Sequence, residues 1–227
     1  MISPDEPTIT FGLRGLAYFE LHVQGPSHDL HSGLFGGTVH NPAQALTELV
    51  AGMHDANGTV TLPGFYDSVR VISDQERIDT AKLPTTPESY LQQTGVPALW
   101  GEKEFTPALR TSARPTLEIN GLLSGWTGPG SKTVIPAKAM AKISCRLVPD
   151  QDPVEVQKQL VQFQNVCHAG LFALHLRDSE KDLGLGSIRD SRWRQAGCGG
   201  IDRVVGWHDT HRCGSSRHVG CGVSSGE

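Results

Sequence analysis

The chain has 227 residues, a formal net charge of −4 and a hydrophobic fraction of 37%. This length and apolar content allow one large or two small globular domains. The slightly acidic balance argues against nucleic acid as the main partner, because nucleic acids select basic surfaces. The first residues lack a signal-peptide pattern, and no apolar run reaches the roughly 18 residues of a membrane span. We therefore expect a cytoplasmic protein without membrane contact.

The first strong element is a strand at residues 15–24, where apolar and polar side chains alternate as in a half-buried strand. A glycine-rich loop, residues 29–37, follows it. We expect chemistry at His31, because its imidazole can donate a hydrogen bond in both its neutral and its charged form. The three glycines of the loop predict positive φ angles and a close approach to another surface. They are Gly33, Gly36 and Gly37.

A helix is predicted next, with Asn41 as its N-cap, Pro42 at its first position and an end near His54. Its apolar side chains recur at helical spacing on one face. These are Ala45, Leu46, Leu49, Val50 and Met53. Residues 59–114 have no regular period and predict a long insertion with short helices at 74–83 and 87–93.

The next segments predict a short strand at 116–122, a glycine-rich loop at 121–130 and an alternating strand at 139–148. That alternation places Cys145 in the core and Arg146 on the opposite face. Asp152 then caps a helix that begins at Pro153. Strand, helix, strand, strand and helix, completed by one more strand, form a ferredoxin-like β-α-β-β-α-β sandwich. We therefore predict an α+β fold with an antiparallel sheet and two helices on one face.

The chain changes character after about residue 165. All 14 prolines and all three tyrosines precede that point, and four of the five cysteines follow it. The odd cysteine number does not indicate a secreted disulfide framework. Residues 166–227 are interpreted either as a flexible, low-complexity tail or as a segment translated out of frame. Within them, residues 171–176 can supply a surrogate edge strand. We expect residues 1–14 to be a linker and residues 15–165 to be the domain.

Three further segments contain weaker motifs. A zinc site in the tail would use side chains spaced as possible metal ligands, although no apolar pattern surrounds them. They are His208, His211, Cys213, His218 and Cys221. The segment 125–133 (GWTGPGSKT) is similar to a phosphate-binding loop but lacks its strand and helix context. Ser27, His28 and Asp29 contain the residue types of a catalytic triad, but adjacency in sequence is not triad geometry.

The segments GLRGLAYFELHVQGPSHDLHSGLFGGTVHNPAQAL, PGFYD and ARPTLEINGLLSGWTGPGSKTVIPAKAMAKISCRLVPDQDP carry a family resemblance. Together they closely resemble the lid, or dimerisation, domain of the di-zinc metallopeptidase family of carnosinases, cytosolic dipeptidases and related amidohydrolases. The resemblance covers about residues 7–164. It implies a ferredoxin-like lid inserted in a larger catalytic domain, a homodimer formed through the lid, and short peptides as substrates.

The resemblance also implies roles for three residues. His31 matches the lid histidine that reaches the partner's active site and stabilises the oxyanion. Thr133 matches a substrate-contacting residue, and Arg146 matches the arginine that binds the substrate's C-terminal carboxylate. One donor on a glycine loop and one fixed guanidinium suit those two anionic groups. We expect Thr133 and Arg146 on the lid face that closes over the substrate.

The family's metal-ligand motifs are not in this chain. We therefore expect two zinc or other divalent ions in a full-length parent enzyme, none bound by this chain, and no peptide hydrolysis by the chain alone. Two alternatives remain open. One is a non-enzymatic dimerisation or binding module that uses the same surface, and the other is a small zinc-binding protein that uses the tail.

Overall fold

The computed structural model describes residues 12–167 and 173–178. Its strands are β1 (Gly15–Gln24), β2 (Leu30–His31), β3 (Thr116–Ser124), β4 (Val134–Ile135), β5 (Lys138–Leu147) and β6 (Ala173–Asp178). Its helices are α1 (Ser32–Phe35), α2 (Pro42–Gly52), α3 (Asp74–Ala81), α4 (Pro87–Thr94), α5 (Pro107–Ser112) and α6 (Pro153–Cys167). The main sheet is antiparallel, in the order β3-β5-β1-β6, and a second sheet pairs β2 with β4.

The hydrophobic core is formed by one face of the main sheet together with α2 and α6. Alternate residues of β1 and β5 face the core, as the predicted period of two requires. They are Ala17, Phe19, Leu21, Val23, Ala139, Ala141, Ile143, Cys145 and Leu147. The helices contribute Leu46, Leu49, Met53, Val156, Leu160 and Phe163. Cys145 is fully buried in the core, as predicted, and this burial raises the pKa of its thiol to about 12.

Helix α2 begins as predicted, because the side chain of Asn41 accepts a hydrogen bond from the amide of Ala43 at 2.9 Å. It ends at Gly52, two residues before the predicted end at His54. The reason is a change of backbone partner: the Thr61 amide donates to the Met53 carbonyl, and His54 pairs with Val60 in an isolated β-bridge. The chain thus leaves the helix to enter the insertion.

The end of the insertion is joined to an earlier part of the insertion by an ion pair between Arg114 and Glu102. The guanidinium donates two hydrogen bonds to the carboxylate, at 2.7 and 2.6 Å, and both side chains are largely buried. The Arg114 guanidinium also lies 4.9 Å from the ring centre of Tyr66 and 4.4 Å from that of Phe105. Burial raises the pKa of Tyr66 to about 12. The insertion contains the two predicted helices and also α5, whose six residues are too few to give a periodic signal.

The two edge strands of the main sheet, β3 and β6, differ in extent from the prediction. Strand β3 continues to Ser124 through an irregularity in register between Ile119 and Gly121, so the glycine-rich loop begins at Gly125. An edge strand forms at β6, two residues later than predicted, and its Leu174 and Leu176 pack against the core. The expected linker before residue 12 and the rest of the tail lie outside the described residues. Among the described helices, none is long and apolar enough to span a bilayer.

Candidate functional site

The structure brings His31 and Thr133 together. His31 ends β2, and its backbone neighbour in the two-stranded sheet is Val134 of β4. This pairing places Thr133 Oγ1 at 3.2 Å from Nε2 of His31. A further hydrogen bond joins the two segments, from the Ser32 amide to the Thr133 carbonyl at 3.1 Å. Both side chains are exposed, so an external molecule has access to them.

Hydrogen bonding defines the protonation pattern of the His31 ring. Nδ1 accepts the backbone amide hydrogen of Gly33 at 3.0 Å, and His31 thereby serves as the N-cap of α1. A nitrogen that accepts a hydrogen bond carries no proton, so in the neutral ring the proton is on Nε2. Nε2–H is then the donor to Thr133 Oγ1. The ring thus presents one hydrogen-bond donor at an exposed position, which suits an electron-rich oxygen of a ligand.

The loop that carries His31 is held to the segment before β5 by Asp29. Its carboxylate accepts the Ala137 amide hydrogen at 2.8 Å, and the Gly25 amide donates to the Ala137 carbonyl at 2.9 Å. Asp29 is one of three adjacent residues that have the residue types of a catalytic triad. No triad forms, because Asp29 binds a backbone amide, whereas Ser27 Oγ lies 3.0 Å from Nδ1 of His28. No sequence period indicates the two-residue strand β2, so the hydrogen bond from the Ala137 amide to Asp29 could not be predicted from the sequence.

The glycines of the His31 loop, residues 29–37, differ in backbone conformation from the prediction. Only Gly37 has a positive φ, of 77°. Gly33 lies in α1, and a Cβ there would be 2.7 Å from Cε1 of His31. At Gly36 a Cβ would be 2.4 Å from the carbonyl oxygen of Ser32. The expectation of positive φ at Gly33 and Gly36 is therefore wrong, and both positions are restricted by close contacts instead.

Arg146 lies at the other end of the main sheet. It is opposite Leu16 at the start of β1 and Thr116 at the start of β3. The His31 loop and Thr133 adjoin the end where Gln24 is opposite Lys138. Eight residues of β5 separate Lys138 from Arg146, which is about 27 Å along an extended strand. Thr133 is therefore next to His31 and not next to Arg146. The expectation that Thr133 and Arg146 lie on the lid face that closes over the substrate stays a prediction.

The part of the chain that the structure describes does not fit a metal centre. Within residues 12–167 and 173–178, no group of three or more His, Cys, Asp or Glu side chains is placed to hold an ion. The zinc ligands that the tail could supply lie outside these ranges. Segment 125–133 is followed by β4 and not by a helix, so its similarity to a phosphate-binding loop is accidental.

Comparisons with known proteins identify the family of the domain. The family model described as the peptidase dimerisation domain, of the M20 type, matches residues 11–165. The Cys-Gly metallodipeptidase of Schizosaccharomyces pombe is 36% identical over 154 residues, which are 67% of this chain and 32% of that protein. The Beta-Ala-His dipeptidase of Homo sapiens is 35% identical over 162 residues, covering 71% of this chain and 32% of that protein. The chain spans about a third of the length of these relatives.

Two solved structures share the arrangement of strands and helices. Human carnosine dipeptidase 1 superposes with a TM-score of 0.68 at 29% identity, over 77% of this chain and 38% of that chain. An M20 family metallo-carboxypeptidase from Sulfolobus solfataricus superposes with a TM-score of 0.67 at 33% identity, over 78% and 46%. The chain therefore belongs to the peptidase dimerisation domain family of M20 peptidases, of which the metallodipeptidases are the relatives that it resembles.

Proposed function

We propose that this domain joins two copies of a peptide hydrolase and supplies three residues to its substrate sites. The observation that carries the proposal is the contact of His31 with Thr133 on an exposed loop, at 3.2 Å, together with the family membership. Leu34 and Phe35 are exposed on the same loop, at 78% and 41%. An exposed apolar pair beside a hydrogen-bond donor suits a loop that another molecule covers.

The proposed topology of the domain is ferredoxin-like. If the four strands of the main sheet are numbered in chain order, their spatial order is second, third, first, fourth. Neighbouring strands are antiparallel, and α2 and α6 contribute to a single core cluster. These features match a β-α-β-β-α-β sandwich into which an insertion and the small β2–β4 sheet have been added.

The proposed role of His31 follows from its tautomer. A carbonyl oxygen gains negative charge when a nucleophile attacks the peptide carbon, and a fixed N–H stabilises that charge. Nε2–H of His31 is such a donor, and the Thr133 hydroxyl is a second group at the same place. Arg146 is assigned to the substrate's C-terminal carboxylate, because a guanidinium binds a carboxylate through two parallel hydrogen bonds.

The positions of these residues favour two protomers for each site. A dipeptide is about 7 Å long when extended, whereas eight residues of β5 separate the end of the sheet near Thr133 from Arg146. We therefore assign His31 and Thr133 to the partner's site and Arg146 to the site of its own chain. This arrangement requires a homodimer.

The proposed dimer contact is the outer edge of β3. This strand ends the main sheet, and an edge strand has backbone groups available to pair with another chain. Leu122, Leu123 and Trp126 at its end are at least half exposed. Pairing of two β3 strands would continue the sheet from one protomer to the other and cover these side chains.

Hydrolysis is assigned to a parent enzyme and not to this chain alone. The names of the relatives point to a metal-dependent reaction, and the described residues do not form a metal centre. We propose that a separate catalytic domain of the parent enzyme binds two zinc ions. We also propose that the parent enzyme is cytoplasmic. The same lack of a metal centre favours, as a second candidate, a non-enzymatic dimerisation module with the same surface.

A hybrid enzyme tests the proposal. Residues 11–165 replace the matching segment of the Schizosaccharomyces pombe Cys-Gly metallodipeptidase, and Cys-Gly hydrolysis is measured. We expect His31→Ala to lower kcat about a hundredfold, the effect of losing one oxyanion donor. His28→Ala is the matched control, because His28 is exposed on the same segment. Equal activity of the two variants would contradict the proposed role of His31.

A further inference from the structure

Gly33 occupies a position where glycine has no backbone advantage. It lies within α1, and its φ is not positive. In a helical conformation, alanine is ordinarily favoured over glycine, because glycine loses more conformational freedom on folding. The residue is also exposed, so no buried neighbour excludes a side chain. The reason for glycine at position 33 must therefore be an exposed side chain of the same loop.

The neighbouring group that restricts position 33 is the ring of His31. A Cβ at Gly33 would lie 2.7 Å from Cε1 and 3.0 Å from Nδ1 of that ring. Carbon atoms do not approach so closely, so any larger residue would turn the imidazole away. The Gly33 amide meanwhile donates to Nδ1 at 3.0 Å. Gly33 therefore stabilises the ring position in two ways. Its amide donates a hydrogen bond to Nδ1, and the absence of a side chain leaves room for the ring.

We propose that Gly33 is a positioning residue for His31, which it holds as the Nε2–H tautomer with that hydrogen directed at Thr133 Oγ1. The inference rests on the proposed function of His31 as an oxyanion donor. Without substrate, the Thr133 hydroxyl accepts the hydrogen bond that the oxyanion is to accept later. The donor is thus oriented before substrate binds, and reorganisation of the ring during the reaction is small.

The choice of tautomer decides whether His31 can act. If Nδ1 carried the proton, the Gly33 amide would face an N–H group, and Nε2 would offer a lone pair to the substrate oxygen. Two electron-rich atoms would then oppose each other. The hydrogen bond from Gly33 prevents this state in the neutral ring. Ser32 is a suitable control because its amide, and not its hydroxyl, makes the described contact with Thr133.

Nitrogen NMR of the full chain tests the inference without any enzymatic reaction. Long-range proton–nitrogen spectra are recorded at pH 8, above the ordinary imidazole pKa of about 6.5. The His31 signals are assigned by their loss in His31→Gln. We expect an unprotonated Nδ1 and a protonated Nε2 in the wild type and in Ser32→Ala. We expect Gly33→Ala to show a mixture of both tautomers, with an unfolding midpoint at or above that of the wild type.

A second measurement uses only the wild type, in case Gly33→Ala does not fold. A scalar coupling across the hydrogen bond from the Gly33 amide to Nδ1 supports the inference. Absence of this coupling, a protonated Nδ1 in the wild type, or an unchanged tautomer in Gly33→Ala would overturn it. In the hybrid enzyme, we expect Gly33→Ala to lower kcat with little change in KM. A changed tautomer with unchanged kcat would refute the role of His31 and leave the positioning intact.

Discussion

Thr133 Oγ1 lies 3.2 Å from Nε2 of His31, although 102 positions separate the two residues in the chain. The contact depends on the β2–β4 pairing, which no sequence period indicates, because two-residue strands are too short for alternation. Because of this pairing, Thr133 lies beside His31 and far from Arg146. The residues to which we assign substrate binding therefore lie in two separate places, one at each end of the main sheet.

The Glu102–Arg114 pair is expected to stabilise the folded insertion, to which both residues belong. Its side chains are only 12% and 14% exposed, and Glu102 hydrogen bonds raise the pKa of Arg114. Arg114→Met leaves the Glu102 carboxylate unpaired and should lower the free energy of unfolding by about 3 kcal/mol. Urea denaturation measures this change. Lys158→Met, which breaks a solvent-exposed pair with Glu155, should lower the free energy of unfolding far less. Similar values for both variants would contradict the prediction.

The stability of α3 should depend on pH through Glu76. Its hydrogen bonds with Arg70 hold its carboxyl pKa at about 2, below the ordinary 4.5, and it completes a capping box with Ser73. A lowered pKa stabilises the folded state above pH 4.5, and this contribution is lost as pH falls from about 4.5 towards 2. Glu76 is 39% exposed, so we expect less than about 1 kcal/mol. As pH falls from 4.5 towards 2, the free energy of unfolding of the wild type should approach that of Glu76→Gln. A difference between the two that does not change with pH would refute the assignment.

The proposed dimer contact predicts that Leu123→Asp weakens self-association. A carboxylate at position 123 would be buried in the proposed interface, at a high desolvation cost. Sedimentation velocity at micromolar concentration should therefore find a dimer for the wild type and mainly monomer for the variant. Val71→Asp is the control, because Val71 is 86% exposed and lies on the insertion. If Leu123→Asp dimerises as tightly as the control, the contact lies elsewhere.

Local patterns predicted the parts of the fold that rest on a sustained period. The alternation at residues 15–24 and the Asn41–Pro42 start of α2 were confirmed, because one face of each element is buried against the core. Helix α5 and the β2–β4 sheet were missed because they are too short for their periods to repeat. His31 could be selected from its loop composition, whereas the contact with Thr133 and the separation from Arg146 are set by strand pairing between distant segments.

The separation of His31 from Arg146 is tested most directly by mixed dimers of the hybrid enzyme. One subunit carries His31→Ala and the other Arg146→Ala, and each homodimer is measured beside the purified heterodimer. If His31 acts in the partner's site and Arg146 in its own, one site of the heterodimer has both residues intact, and activity should return to about half of the wild-type value. A heterodimer no more active than the two homodimers would mean that both residues serve the same site from one chain, which contradicts the proposed arrangement.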